Sequence, residues 1–122
     1  MNISIDNNPN AMVSFLKRNN SSIEQVSATV ADLWYIAHDD YQTFGTCGIL
    51  KYSNSIRIKS FFIRKDKRNE GIGAMLIEKV ITDFDVQITA FATKFSRPIF
   101  EKYGFVVESE KKNDIAFMRR SV

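Results

Sequence analysis

Between Ser60 and Leu76 the chain sets Arg64, Lys65, Lys67 and Arg68 just ahead of Gly71-Ile72-Gly73. Residues of these types at this spacing can hold an anion. Glycine lets the backbone approach a ligand with no Cβ in the way. A helix that starts at such a turn leaves its first four N–H groups without helical partners, at the positive end of its dipole. A phosphate answers both demands, and the four cations add charge around it. The G-x-G-x-x-G spacing of a dinucleotide site is absent, and so is the Gly-Lys-Ser/Thr ending of a nucleoside-triphosphate loop. The competing reading is a tight strand-to-helix turn with solvated basic residues.

A strand and a helix must position that turn. Ile56, Ile58 and Phe61-Phe62-Ile63 are β-formers, with Arg57 and Lys59 alternating at first. Ile72, Leu76 and Val80 recur at i, i+4 and i+8, and Ile77, Ile81 and Phe84 widen the stripe, which predicts a helix over 71–84. Upstream, 33–38 and 43–52 read as strands, joined by the Asp39–Gln42 turn, with a hairpin turn at Ser53-Asn54-Ser55. Downstream, 86–92 reads as a strand, and a strand–helix–strand step of this kind predicts a parallel, right-handed crossover.

At the N-terminal end, 2–5 reads as a short strand and Ala11 to Leu16 as a helix ended by Asn19-Asn20. Ser21 and Glu24 have capping-box spacing and predict a second helix to about Thr29 or Ala31. The β-branched Val26, Thr29 and Val30 leave an early strand open. At the other end Ser96 is placed to cap a short helix, Pro98 sits in its first turn, and Gly104 supplies a left-handed stop. A strand from Phe105, a turn at 111–114 and a strand over 115–118 close a hairpin.

Two segments together carry a resemblance. Arg68-Asn69-Glu70-Gly71-Ile72-Gly73 is similar to the Q/R-x-x-G-x-G/A motif of the GNAT superfamily of N-acetyltransferases. Pro98-Ile99-Phe100-Glu101-Lys102-Tyr103-Gly104-Phe105 resembles that family's P-F-Y-E-K-x-G-F ending. The likeness covers roughly 33–119. It implies an α/β fold in three layers, α/β/α, around a mixed and largely antiparallel sheet of six to seven strands with about four helices. It implies acetyl-CoA as cosubstrate, its pyrophosphate held by the backbone of Arg68, Asn69, Glu70, Gly71, Ile72, Gly73 and Ala74. The pantetheine arm would lie along Phe61, Phe62 and Ile63, with Thr93 and Phe100 also at the cofactor. The amide of Phe61 becomes the donor to a developing oxyanion.

Two departures affect the catalytic groups that the resemblance implies. Phe100 stands where the family often has a tyrosine that protonates the leaving thiolate. Arg57 stands near the position of a carboxylate general base, with Lys59 beside it. Tyr103 and His38 are then weak candidates for the general acid or base; His38 also reads as a surface turn residue. The function implied is transfer of an acetyl group to a primary amine of a small molecule or a protein, by direct attack in a ternary complex. A non-catalytic module that binds acetyl-CoA or a protein partner is the alternative. Arg57 and Lys59 hint at an anionic group on the acceptor.

Composition narrows the classes. The 122 residues carry a net charge of +3, with 44% hydrophobic and 25% charged residues, as expected of one globular domain over 1–122. No apolar run approaches the roughly 20 residues of a membrane span, and 1–9 lacks the features of a signal peptide. The single cysteine, Cys47, forms no internal disulfide and reads as a buried small residue in a cytoplasmic protein. No His, Cys, Asp or Glu set has metal-ligand spacing. Lys111-Lys112 and Arg119-Arg120 read as solvated charge without the aromatic interleaving of a nucleic-acid surface. The sequence leaves the oligomeric state open; a homodimer paired through C-terminal strands is one assembly available to so short a chain.

Overall fold

The computed structural model describes residues 1–28 and 31–122. Strands β1 (Asn2–Asp6), β2 (Leu33–His38), β3 (Thr43–Lys51), β4 (Ser55–Ile63), β5 (Gln87–Ala92), β6 (Val106–Glu110) and β7 (Ala116–Arg120) form one sheet in the order β1-β2-β3-β4-β5-β7-β6. Every neighbouring pair is antiparallel except β4 with β5. That parallel step is made through helix α2 (Ile72–Asp83), as the strand–helix–strand order requires.

Alternation in the strands assigns the two faces. In β2, Trp34 and Ile36 point to one side, where Met12, Phe15 and Leu16 of α1 (Pro9–Arg18) cover them together with Phe62. Tyr35 and Ala37 point to the other, where Leu76, Ile77 and Val80 of α2 and Phe100 of α3 (Arg97–Lys102) pack over β3, β4 and β5. The result is three layers, α/β/α, with seven strands and three α-helices among the described residues.

The missing helix is the one predicted from Ser21. Ser21–Glu24 makes a single 3₁₀ turn, bounded by Asn20 and Gln25 in left-handed backbone at φ 53° and 64°. The Ser21 hydroxyl caps nothing and instead donates to the Val26 carbonyl at 2.8 Å. The Thr29 end of the predicted helix lies outside the described residues. At α3 the cap also differs: the Ser96 hydroxyl accepts from the Thr93 amide at 2.8 Å rather than serving the helix. Gly104 does stop that helix, at φ 87°.

One irregularity in β4 matters for everything that follows. Between Thr46↔Phe62 and Gly48↔Lys59 the register advances two residues on β3 and three on β4. The extra residue is a β-bulge. Ser60 within it has φ 52°, and its carbonyl accepts from the buried Thr46 hydroxyl at 2.9 Å. The bulge shifts the strand's alternation by one: Ile56 and Ile58 face α2, then Phe61 and Ile63 do, while Phe62 faces α1.

Candidate active site

The ladder between β4 and β5 runs from Ser55↔Gln87 to Ile58↔Ala90 and ends there. β4 continues to Ile63 along β3, and β5 continues to Ala92 along β7. The two strands part at the bulge, and a cleft opens between them. Lys59, Ser60 and Phe61 of β4 face Phe91 and Thr93 across it, with Gln25 and Ser27 at its side.

A second groove borders the same strand end. It runs from Ile63 past Arg68, Asn69 and the start of α2 to Phe95, Pro98 and Ile99. Asn69 and Gly71 both have positive φ, 66° and 82°, which turns the backbone sharply into the helix. A Cβ on Gly71 would meet nothing within 4 Å, so the glycine is required by conformation rather than space. Gly73 is different: a Cβ there would stand 2.9 Å from Ile99 Cδ1 and 3.2 Å from Phe61 Cζ. Its absence lets the first turn of α2 sit down on β4. The turn has no side-chain cap and no acidic residue, so nothing of its own neutralises the dipole there.

The four cations ahead of the glycines do not all serve that turn. Arg64 forks onto Asp66 at 2.6 and 3.0 Å and holds its carboxyl below the usual range. Arg68 is committed inward. It pairs with Glu24 at 2.6 Å, donates to the Ile63 carbonyl at 2.9 Å, and lies 4.4 Å from the Phe95 ring centroid. The Lys67 ammonium stands 4.8 Å from the Phe44 ring centroid. Lys67 lines the groove together with Lys102 of α3, which the sequence reading did not single out.

Of the sequence-predicted site residues, Arg68, Asn69, Gly71, Ile72, Gly73, Ala74 and Ile63 line the groove, and Phe61 and Thr93 line the cleft. Glu70 is exposed and lines neither, and the Phe62 ring lies under α1 against Phe15. Phe100 is fully buried, its ring 5.3 Å from Phe61 and 4.9 Å from Phe105. Its side chain therefore supports Phe61 from behind and reaches neither the groove nor the cleft. Tyr103 turns its hydroxyl toward Glu78 on α2, at 3.4 Å, and burial with that carboxylate raises its pKa. His38 sits two strands away from β4, at the end of β2 beside β1, where Nε2 meets the Ser4 hydroxyl at 2.6 Å and Nδ1 the Asp39 carbonyl at 2.9 Å. Neither weak acid–base candidate lines the cleft. Cys47 is buried as expected, and burial pushes its thiol up. Among the described residues no group of acids, histidines and cysteines could hold a metal ion.

The mixed sheet thus splits along its parallel step, with a glycine turn and helix start beside the split. The family model for the acetyltransferase (GNAT) domain matches residues 4–118. The chain belongs to the GNAT acetyltransferase family. Comparison with curated proteins gives no match.

Solved structures share the fold at low identity. An acyl-CoA N-acyltransferase from Pseudomonas aeruginosa is 16% identical with a TM-score of 0.79, covering 98% of this chain and 99% of that one. An aminoglycoside 6'-acetyltransferase type Ii is 16% identical with a TM-score of 0.74, over 99% and 97%. The PaiA N-acetyltransferase from Thermoplasma acidophilum, solved in complex with coenzyme A, is 13% identical with a TM-score of 0.68, over 100% of each chain.

Proposed function

We propose that residues 1–122 work as one domain that transfers an acetyl group from acetyl-CoA to a primary amine. The observation that supports this most is the parting of β4 from β5 beside the Gly71 turn. A groove with a helix start suits a pyrophosphate. The cleft around Phe61 is where a thioester and an amine could meet. Asn69 to Ala74 would take the pyrophosphate through backbone amides, with Lys67 and Lys102 as nearby charge. The β4 backbone from Phe61 to Ile63 would align the pantetheine arm.

The chemistry then asks little of side chains. The amine nitrogen attacks the thioester carbonyl, the C–S bond breaks, and the sulfur leaves with its electron pair. The nitrogen loses a proton to water. A thiol with a pKa near about 8.5 is a fair leaving group. Holding two reactants in line can lower the barrier by about 7 kcal/mol or more. The Phe61 amide, next to the bulge, would donate to the developing oxyanion, a contact worth about 3 kcal/mol. No carboxylate lines the cleft among the described residues, so the reaction proposed uses an amine that arrives neutral. A cytoplasmic location belongs to the same proposal; no helix among the described residues is long and apolar enough to cross a membrane.

A thermal-shift titration tests the cofactor half. Acetyl-CoA at about 100 times its dissociation constant should stabilise the protein by about 2.7 kcal/mol, and Gly71→Glu, which puts a carboxylate and a strained backbone at the turn, should abolish the shift. Release of coenzyme A across a panel of amines and peptides tests the other half. Saturable binding with no acetylated product from any acceptor would replace the enzyme by a binding module.

A further inference from the structure

Lys59 is the one charged side chain lining the β4–β5 cleft among the described residues. It has no hydrogen bond or ion pair with any of them. Arg57 lies two residues before it on the same face of β4. Its Nε donates to the Thr89 hydroxyl at 3.1 Å, and its guanidinium stands 5.5 Å from the ring centroids of Tyr52, Phe91 and Phe117. Arg57 too is without a carboxylate partner among the described residues. Arg68, which lines the neighbouring groove, is already matched by Glu24. Among the described residues the cleft therefore presents one unmatched cation, Lys59, and no acid, with Arg57 behind it on the same strand face.

That charge pattern selects among amines. A polyamine or an aminoglycoside carries extra ammonium groups, and each would face Lys59 with nothing to offset the repulsion. An amine that carries its own carboxylate or phosphate would instead give Lys59 a charge-assisted hydrogen bond. The same field opposes protonation of the acceptor nitrogen, because a like charge disfavours the ammonium form. It thus favours the neutral nucleophile in a cleft that has no base to make one.

We infer that the acceptor is an amine bearing an anionic group, and that Lys59 is the specificity-determining residue that receives the anion, with Arg57 held behind it by the aromatic rings. This rests on the acetyltransferase reading. The test pairs acceptors that differ only in the anion: amino acids with their amides, and phosphoethanolamine with ethanolamine, alongside spermidine. The expected result is a kcat/KM about tenfold or more higher for the anionic member of at least one pair, the size of a hydrogen bond to a charged group. In Lys59→Gln that ratio falls toward one, mainly through KM, and Lys59→Arg recovers part of it. A wild-type ratio near one in both pairs, a preference for spermidine, or a ratio unmoved by Lys59→Gln overturns the inference while leaving the acetyltransferase standing. Absence of turnover with every acceptor overturns both. A binding readout is independent of turnover: in an ¹⁵N NMR titration, an N-acetyl amino acid or N-acetylphosphoethanolamine should shift the amides of Lys59 and Phe91 more than its uncharged counterpart does. Equal shifts would count against the inference.

Discussion

Gly71 shows how a single dihedral can carry a binding site. Its φ of 82° is where L side chains rarely sit, yet there is open space around it. Gly71→Ala should therefore cost about 1 kcal/mol through backbone strain alone, a few degrees in Tm, with a larger proportional loss of acetyl-CoA affinity by calorimetry. A second residue-scale prediction concerns Tyr35, whose buried hydroxyl donates to Asp83 at 2.8 Å. That bond, with Lys79 beside it, holds the Asp83 carboxyl below the ordinary carboxylate range. A depressed folded pKa means the contribution is full above the unfolded value, near about 4, and is lost as pH falls through the folded one. Tyr35→Phe should cost about 1–2 kcal/mol at neutral pH, and urea melts should show the gap from wild type narrowing below about pH 4.

At the scale of elements, Arg68 joins the 3₁₀ turn at Ser21–Glu24, the end of β4 and the glycine turn into one unit. Arg68→Ala should destabilise the protein by about 2 kcal/mol in denaturant titration. Arg68→Lys should recover less than half of that, because an ammonium lacks the planar group that reaches Glu24, the Ile63 carbonyl and the Phe95 ring together. The elements themselves were largely legible in the sequence. Periodicity gave α2, and turn chemistry separated β2, β3 and β4, because these are local signals. Ser21 and Glu24 misled, since capping-box spacing says nothing of the left-handed Gln25 that ends the turn at once. The bulge was not legible: that Ile58 and Phe61 share a face three residues apart, which a regular strand forbids, emerges only from the packing. The pairing of Arg68 with Glu24, the seclusion of Phe100 and the isolation of Lys59 were not legible, because each depends on partners far away in the chain.

On the scale of the whole molecule, the sheet is two antiparallel blocks joined by four residue pairs between β4 and β5. Exchange of the 59–63 amides should slow when acetyl-CoA binds, more than exchange in β1 or β2, as read by deuterium uptake; equal change in both would argue against occupation of the split. Cys47, on β3 in the larger block, has no exposed surface. Since the thiolate is the reactive form and burial opposes it, the folded protein contributes almost no background to a disulfide-exchange dye that counts released coenzyme A. What slow labelling does occur then acts as a clock, ticking each time β3 comes away from the helices above it.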